Sequence, residues 1–165
     1  MIDFRKVKSG GSVRYIFILL VSALLSACQT GPGVVHDKHT GKTVVHSKRY
    51  AVAGGLLHNA NAIATWSNVN GYGVGVEYLA TGGSWMFFRE AWSYGKQYTY
   101  VVESEDVMGC GAGCSIYESG IIRISEADFQ QALVTGFEFK LVGRGGAFEA
   151  KVPAEAFKQV LSQKS

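Results

Sequence analysis

Four histidines and a set of glutamates are the side chains equipped for metal or acid–base chemistry. The histidines are His36, His39, His46 and His58. If the chain turns near Gly41, His36 and His46 could face each other across a hairpin. Asp37 cannot join His36 on one strand face without a bulge, because neighbours along a strand point to opposite faces. Solvated hairpin side chains are the simpler reading, and no metal or cofactor is expected. Glu77, Glu90, Glu103 and Glu118 fall on stretches of strand character and could in principle pair as acid and base. Sequence brings no two of them together. No Gly-x-Ser-x-Gly elbow, His-Glu-x-x-His helix or Cys-x-x-Cys-His haem site occurs. Gly143-Arg144-Gly145-Gly146 is glycine-rich but lies between two expected strands. A phosphate loop would open a helix instead.

Seven aromatic residues fall between Trp85 and Tyr100. Trp85 and Phe87 are expected on one face of a strand over 84–92 and Phe88 on the other. Tyr98 and Tyr100 are expected to share a face of a strand over 97–104. Most of these rings suit a core. Trp92 and Tyr94, beside Gly95, are the candidates for an exposed binding surface, where a ring offers a stacking face with a polar edge. No basic patch is interleaved with the rings, so no nucleic-acid partner is expected.

The N-terminus carries a different chemistry. Arg5, Lys6, Lys8 and Arg14 precede an apolar run over residues 15–25. That run is shorter than the roughly 20 residues of a spanning helix. A basic start, a short apolar segment and small residues after it describe an export signal. Leu25-Ser26-Ala27-Cys28 resembles the lipobox of bacterial lipoproteins. The resemblance implies a diacylglyceryl group on the Cys28 sulfur, cleavage before Cys28 and acylation of the new amino group. Two or three acyl chains, palmitate among them, anchor a protein stably where one chain is marginal. Residue 29 is Gln and not Asp, which in a Gram-negative lipoprotein implies transfer to the periplasmic face of the outer membrane. Residues 1–27 are thus expected as a signal peptide, 28–33 as a tether and 34–165 as a single domain.

With Cys28 taken by lipid, Cys110 and Cys114 remain. An even remainder in an exported protein suggests a disulfide. Residues four apart in an extended strand lie about 13 Å from each other, so the chain must turn between them. A redox pair, two ligands of a metal site and two free thiols are the other readings.

The chain has 165 residues, 47% hydrophobic and 18% charged, with 21 glycines and 2 prolines. This composition excludes a disordered tail. The formal charge of +3 resides in the first 14 residues, and the remainder is neutral.

These residues need elements to hold them. Val34–Lys38 and Val44–Lys48 read as a hairpin. Residues 51–57 and 60–66 lean to strand. Residues 74–79, 84–92, 97–104 and 115–124 follow as strands with glycine turns, the last bulged at Ser119-Gly120. Ser125 with Asp128 caps a helix that ends at Gly136. Residues 137–142 and 147–152 form a second hairpin. Pro153 opens a last helix with Ala156, Phe157, Val160 and Leu161 on its buried stripe. The expected fold is α+β: mostly antiparallel sheet, as a sandwich or partly open barrel, with two C-terminal helices.

From Ile122 to Phe157 the pattern also resembles, loosely, segments of uncharacterised bacterial envelope proteins. The size, export signal and β-rich character are similar to those of lysozyme-inhibitor lipoproteins, whose inhibitory loop is not found here. The expected function is a non-enzymatic binding or scaffolding module in the cell envelope, with an envelope protein or glycan as partner. A cell-wall or glycan-acting enzyme, or a lysozyme-inhibitor-like protein, is the alternative.

Overall fold

A computed structural model describes residues 31–110 and 113–164. Residues 1–27, expected as a signal peptide, and Cys28 lie outside the described residues. The chain forms β1 (Gly33–His36), β2 (Thr43–His46), β3 (Tyr50–Gly54), β4 (His58–Ser67), β5 (Gly71–Thr81), β6 (Phe88–Ser93), β7 (Lys96–Tyr98), β8 (Tyr100–Cys110) and β9 (Cys114–Arg123). Then come α1 (Glu126–Thr135), β10 (Phe137–Gly143), β11 (Gly146–Val152) and α2 (Ala154–Lys164). All pairings are antiparallel. Seven strands form one sheet in the order β1-β2-β4-β5-β9-β8, with β3 also on β4; four form a second in the order β11-β10-β6-β7. The expected α+β class holds, and the sheets do not close into a barrel.

Alternation along the strands builds the core. Val74, Val76, Tyr78 and Ala80 on β5 face inward beside Ala60, Ala62 and Ala64 on β4. The second sheet covers one half of this face: Tyr78 meets the edges of Phe88 and Phe148 at 5.5 and 5.8 Å. The helices cover the other half, where Tyr72 stacks on Phe129 at 4.2 Å. Alanines on β4 leave room for these rings, an alternation of small and large that fills a core without voids.

Local signals set the helix ends. Ser125 accepts from Asp128 N, and Asp128 accepts from the Ser125 backbone N–H, a complete capping box. Gly136, at φ 75°, ends α1. Pro153 immediately precedes α2, whose Ala156, Phe157 and Val160 are buried. Leu161 is exposed, so the expected buried stripe is one residue narrower.

Three expected strands differ in detail. Residues 84–87 are not strand, and β6 begins only at Phe88. Residues 97–104 are two strands in different sheets, so Tyr98 and Tyr100 share no face. β9 is continuous, and the irregularity expected at Ser119-Gly120 lies in its partner: β8 shifts register between Val102 and Ser104, and again between Val107 and Gly109. Gly120 has no room for a side chain, since a Cβ there would stand 2.4 Å from the Tyr100 ring.

Cys110 and Cys114 form a disulfide, directly opposite each other at the tip of the β8–β9 hairpin with Cα atoms 4.0 Å apart. The bridge closes a very short loop, so its removal costs little chain entropy. The Cys110→Ser/Cys114→Ser double variant is expected to fold with about 2 kcal/mol less stability. Alkylation mass spectrometry of the native protein should find neither thiol free before reduction; two alkylated cysteines would contradict the bridge.

Candidate functional site

The four-stranded sheet carries the site through one turn. Ser93 pairs with Lys96, so Tyr94 and Gly95 are the two central residues of the β6–β7 hairpin. Both have positive φ, 45° at Tyr94 and 82° at Gly95. That is the requirement of a type I′ turn, the tight connection whose twist matches its strands. After glycine, Asn is the residue that adopts the first position with least strain. A tyrosine there holds the left-handed conformation at a cost of about 1–2 kcal/mol. The turn also pushes the ring into solvent, 86% exposed. Its hydroxyl donates to Glu138 Oε2 at 3.0 Å on β10. That contact, with the carboxylate charge beside it, raises the phenol pKa.

Two adjoining depressions flank Tyr94 and Glu138. One, of about 260 Å³, lies against α1 and takes in Lys96, Tyr98, Asp128 and Thr135. The other, of about 240 Å³, lies over the outer face of the sheet and takes in Trp92, Lys140 and Glu149. In the first, Lys96 Nζ donates to both Asp128 oxygens at 2.9 and 2.7 Å, and the Tyr98 hydroxyl donates to Oδ1 at 3.2 Å. Partial burial pushes the Asp128 carboxyl up, but Lys96 and Ser125 outweigh it and hold its pKa below the usual value. In the second, the half-buried Trp92 donates from Nε1 to Glu90 Oε2 at 2.9 Å, and Lys140 pairs with Glu149 at 2.8 Å. The two sequence candidates, Trp92 and Tyr94, therefore line one surface. Glu138 and Asp128 complete it; they come from 44 and 34 residues beyond Tyr94, and no local pattern marks them.

Of the strand carboxylates, Glu77, Glu103 and Glu118 lie away from this surface, and Glu90 touches it only through Trp92. Glu77 pairs with Arg49 at 2.8 Å, and Glu90 holds Trp92. Glu77 and Glu103 line one small depression of about 70 Å³, far below the roughly 300 Å³ of ordinary ligand pockets. Glu118 is buried at 3% exposure and accepts from the backbone N–H groups of Met86 at 2.6 Å and Phe88 at 3.4 Å. The first hairpin pairs Gly33 with His46 and His36 with Thr43, so the two histidines are not opposite. The turn falls over residues 37–42, not symmetrically about the two histidines. His36 Nδ1 meets Thr43 Oγ1 at 2.9 Å, and His46 Nδ1 meets Ser47 O at 2.9 Å. Among the described residues no three His, Cys, Asp or Glu side chains gather as metal ligands, and no helix is long and apolar enough to cross a membrane.

The turn geometry makes a sharp test. Replacing Tyr94 by Asn relieves the left-handed strain and loses one exposed hydrogen bond. Tyr94→Asn should melt at or slightly above the parent temperature, within about 1 kcal/mol. A loss of several degrees would show the ring to be a structural support and not a surface feature.

No protein-family model, no curated protein and no solved structure matches this chain.

Proposed function

We propose that the chain is an outer-membrane lipoprotein, anchored through Cys28, whose folded part is a non-enzymatic binding module of the cell envelope. The observation that carries the binding half is Tyr94: a ring held in solvent by a strained turn, beside Trp92 and between two depressions. Strain at a surface residue with no packing role points to use by a partner. The rings offer stacking faces, and Glu138, whose carboxylate accepts only from Tyr94, offers its other oxygen to hydroxyl donors. That combination fits a glycan better than an apolar peptide. The anchoring half rests on Leu25-Ser26-Ala27-Cys28 after its apolar run, and Gln29 favours the outer membrane.

Each half has its own test. Cys28→Ser should abolish incorporation of labelled palmitate and block cleavage before residue 28. Normal acylation of that variant would refute the anchor. For binding, the parent protein should be retained on purified cell-wall glycan, while Tyr94→Asn and Trp92→Ala, still folded, should lose most of that retention. Equal retention of all three would remove this surface from the proposal.

A further inference from the structure

The charges around Tyr94 do not cancel, and the remainder is negative. β10 alternates: Phe137, Phe139 and Leu141 are buried, while Glu138 and Lys140 are exposed on the outer face of the four-stranded sheet. Cross-strand pairing sets Lys140 between Trp92 on β6 and Glu149 on β11. Lys140 is taken by Glu149 at 2.8 Å, and Lys96 by both oxygens of Asp128 at 2.9 and 2.7 Å. The lysine of each depression is therefore neutralised in place.

Glu138 is not. It lines both depressions, and its carboxylate accepts from a neutral group, the Tyr94 hydroxyl on Oε2, which leaves Oε1 open. Among the described residues no lysine or arginine pairs with it. Its cross-strand neighbour Lys151 lies along Gly136 instead, where a Cβ would stand 3.4 Å from the lysine Cε. The hydrogen bond to Glu138 and the charge behind it raise the Tyr94 phenol above its ordinary pKa. Glu90 repeats the arrangement two residues before Trp92: exposed and without a cation, it accepts from the indole Nε1 at 2.9 Å.

An open carboxylate beside exposed aromatic rings is the chemistry that holds an ammonium group. The face of a ring is the negative end of its quadrupole and attracts a cation lying over it. The carboxylate adds a charge-assisted hydrogen bond, roughly twice as strong as a neutral one. A hydroxyl can use Oε1 but gains nothing from the quadrupole. An acidic ligand would find no unpaired cation in either depression and would meet Glu138 and Glu90 with like charge.

We infer that the glycan taken by this surface carries a free ammonium group, as an amino sugar without its acyl cap does, seated on Glu138 beside Tyr94 and Trp92. This rests on the glycan-binding reading proposed above and narrows it from sugars in general to cationic ones.

The full chain in detergent is titrated calorimetrically with a glucosamine oligomer and with an N-acetylglucosamine oligomer of equal length. The parent should bind the free-amine oligomer several-fold more tightly at low salt, and the margin should shrink as salt screens the charge. Glu138→Gln keeps a carbonyl oxygen for the Tyr94 hydroxyl but loses the charge, and should bind the two oligomers alike. Glu103→Gln removes one charge from the other sheet and should keep the margin of the parent. Equal binding of both oligomers by the parent overturns the inference and leaves the glycan reading standing. A margin that survives Glu138→Gln, or that Glu103→Gln abolishes as well, overturns it too, since the preference would then come from elsewhere or from overall charge. A linear polyamine bound as tightly as the glucosamine oligomer, and weakened equally by Glu138→Gln, would support the ammonium seat and refute the glycan reading. Binding of neither oligomer nor the polyamine overturns both.

Discussion

Phe88→Ala is expected to lose about 3–5 kcal/mol, the cost of emptying a core aromatic site, whereas Phe87→Ala next to it should lose no more than about 1 kcal/mol. Phe88 is 2% exposed and lies among Tyr78 and Phe148, where the two sheets meet. Its removal opens a cavity between layers that cannot collapse, because each side is pinned by its own strand pairing. Phe87 is half-buried and sits at φ 51°. It stacks on Trp85 at 5.3 Å, with the Arg144 guanidinium 4.7 Å from its ring. Those contacts are worth about 1 kcal/mol together at a partly wet site. Replacement by Gly in place of Ala should recover part of that loss, since glycine adopts positive φ freely. Urea titration separates the two positions. Equal losses would mean that residues 84–87 belong to the core strand and not to a crossing loop.

The second large effect is expected at Glu118. Its carboxylate replaces the strand neighbour that Met86 and Phe88 lack, accepting both of their backbone N–H groups. Glu118→Leu would fit the volume but leave two buried donors without partners, at about 1–3 kcal/mol each. Glu118→Gln keeps an oxygen for one of them and should lose about half as much. Arg89, held by both oxygens of Glu105 at 2.5 and 3.1 Å, stands close enough for Glu118 to contribute to its raised pKa, and so offsets the buried charge. The Leu variant should also become cleavable by protease within 84–87. Unchanged urea midpoints for both variants would show that water satisfies the two donors and that the acid holds nothing in place.

These two residues also explain where sequence reading worked and where it stopped. The capping box at Ser125, the stop at Gly136 and the β10–β11 hairpin were legible because each is written within a few residues. Residues 84–87 read as strand because Trp, Met and Phe favour strands, yet their shape is set from elsewhere. Glu118 captures the backbone, and Gly143 and Gly145 leave space for it, since a Cβ at either would lie 2.2 and 2.0 Å from the carbonyls of Met86 and Trp85. Thr99 separates Tyr98 from Tyr100 because the chain changes sheets there, and a run of β-formers carries no mark of such a change. At the candidate site, Gly95 was enough to suggest that Tyr94 stands out. The carboxylates around it belong to distant segments, and only the register of β10 and the first turn of α1 bring them in.

The longest edge strand among the described residues is β8, eleven residues at the border of the seven-stranded sheet. An open edge of that length is ordinarily a template on which further chains can stack. Here the two register shifts break its row of donors and acceptors into short pieces, and Glu103, Glu105 and Asp106 put negative charge along the middle. A second β8 brought alongside would meet mismatched spacing and like charge. The strand is therefore protected against fibril growth by its own irregularity, and straightening it, by deleting Glu103 and Met108, would be the direct way to make this edge a template for aggregation.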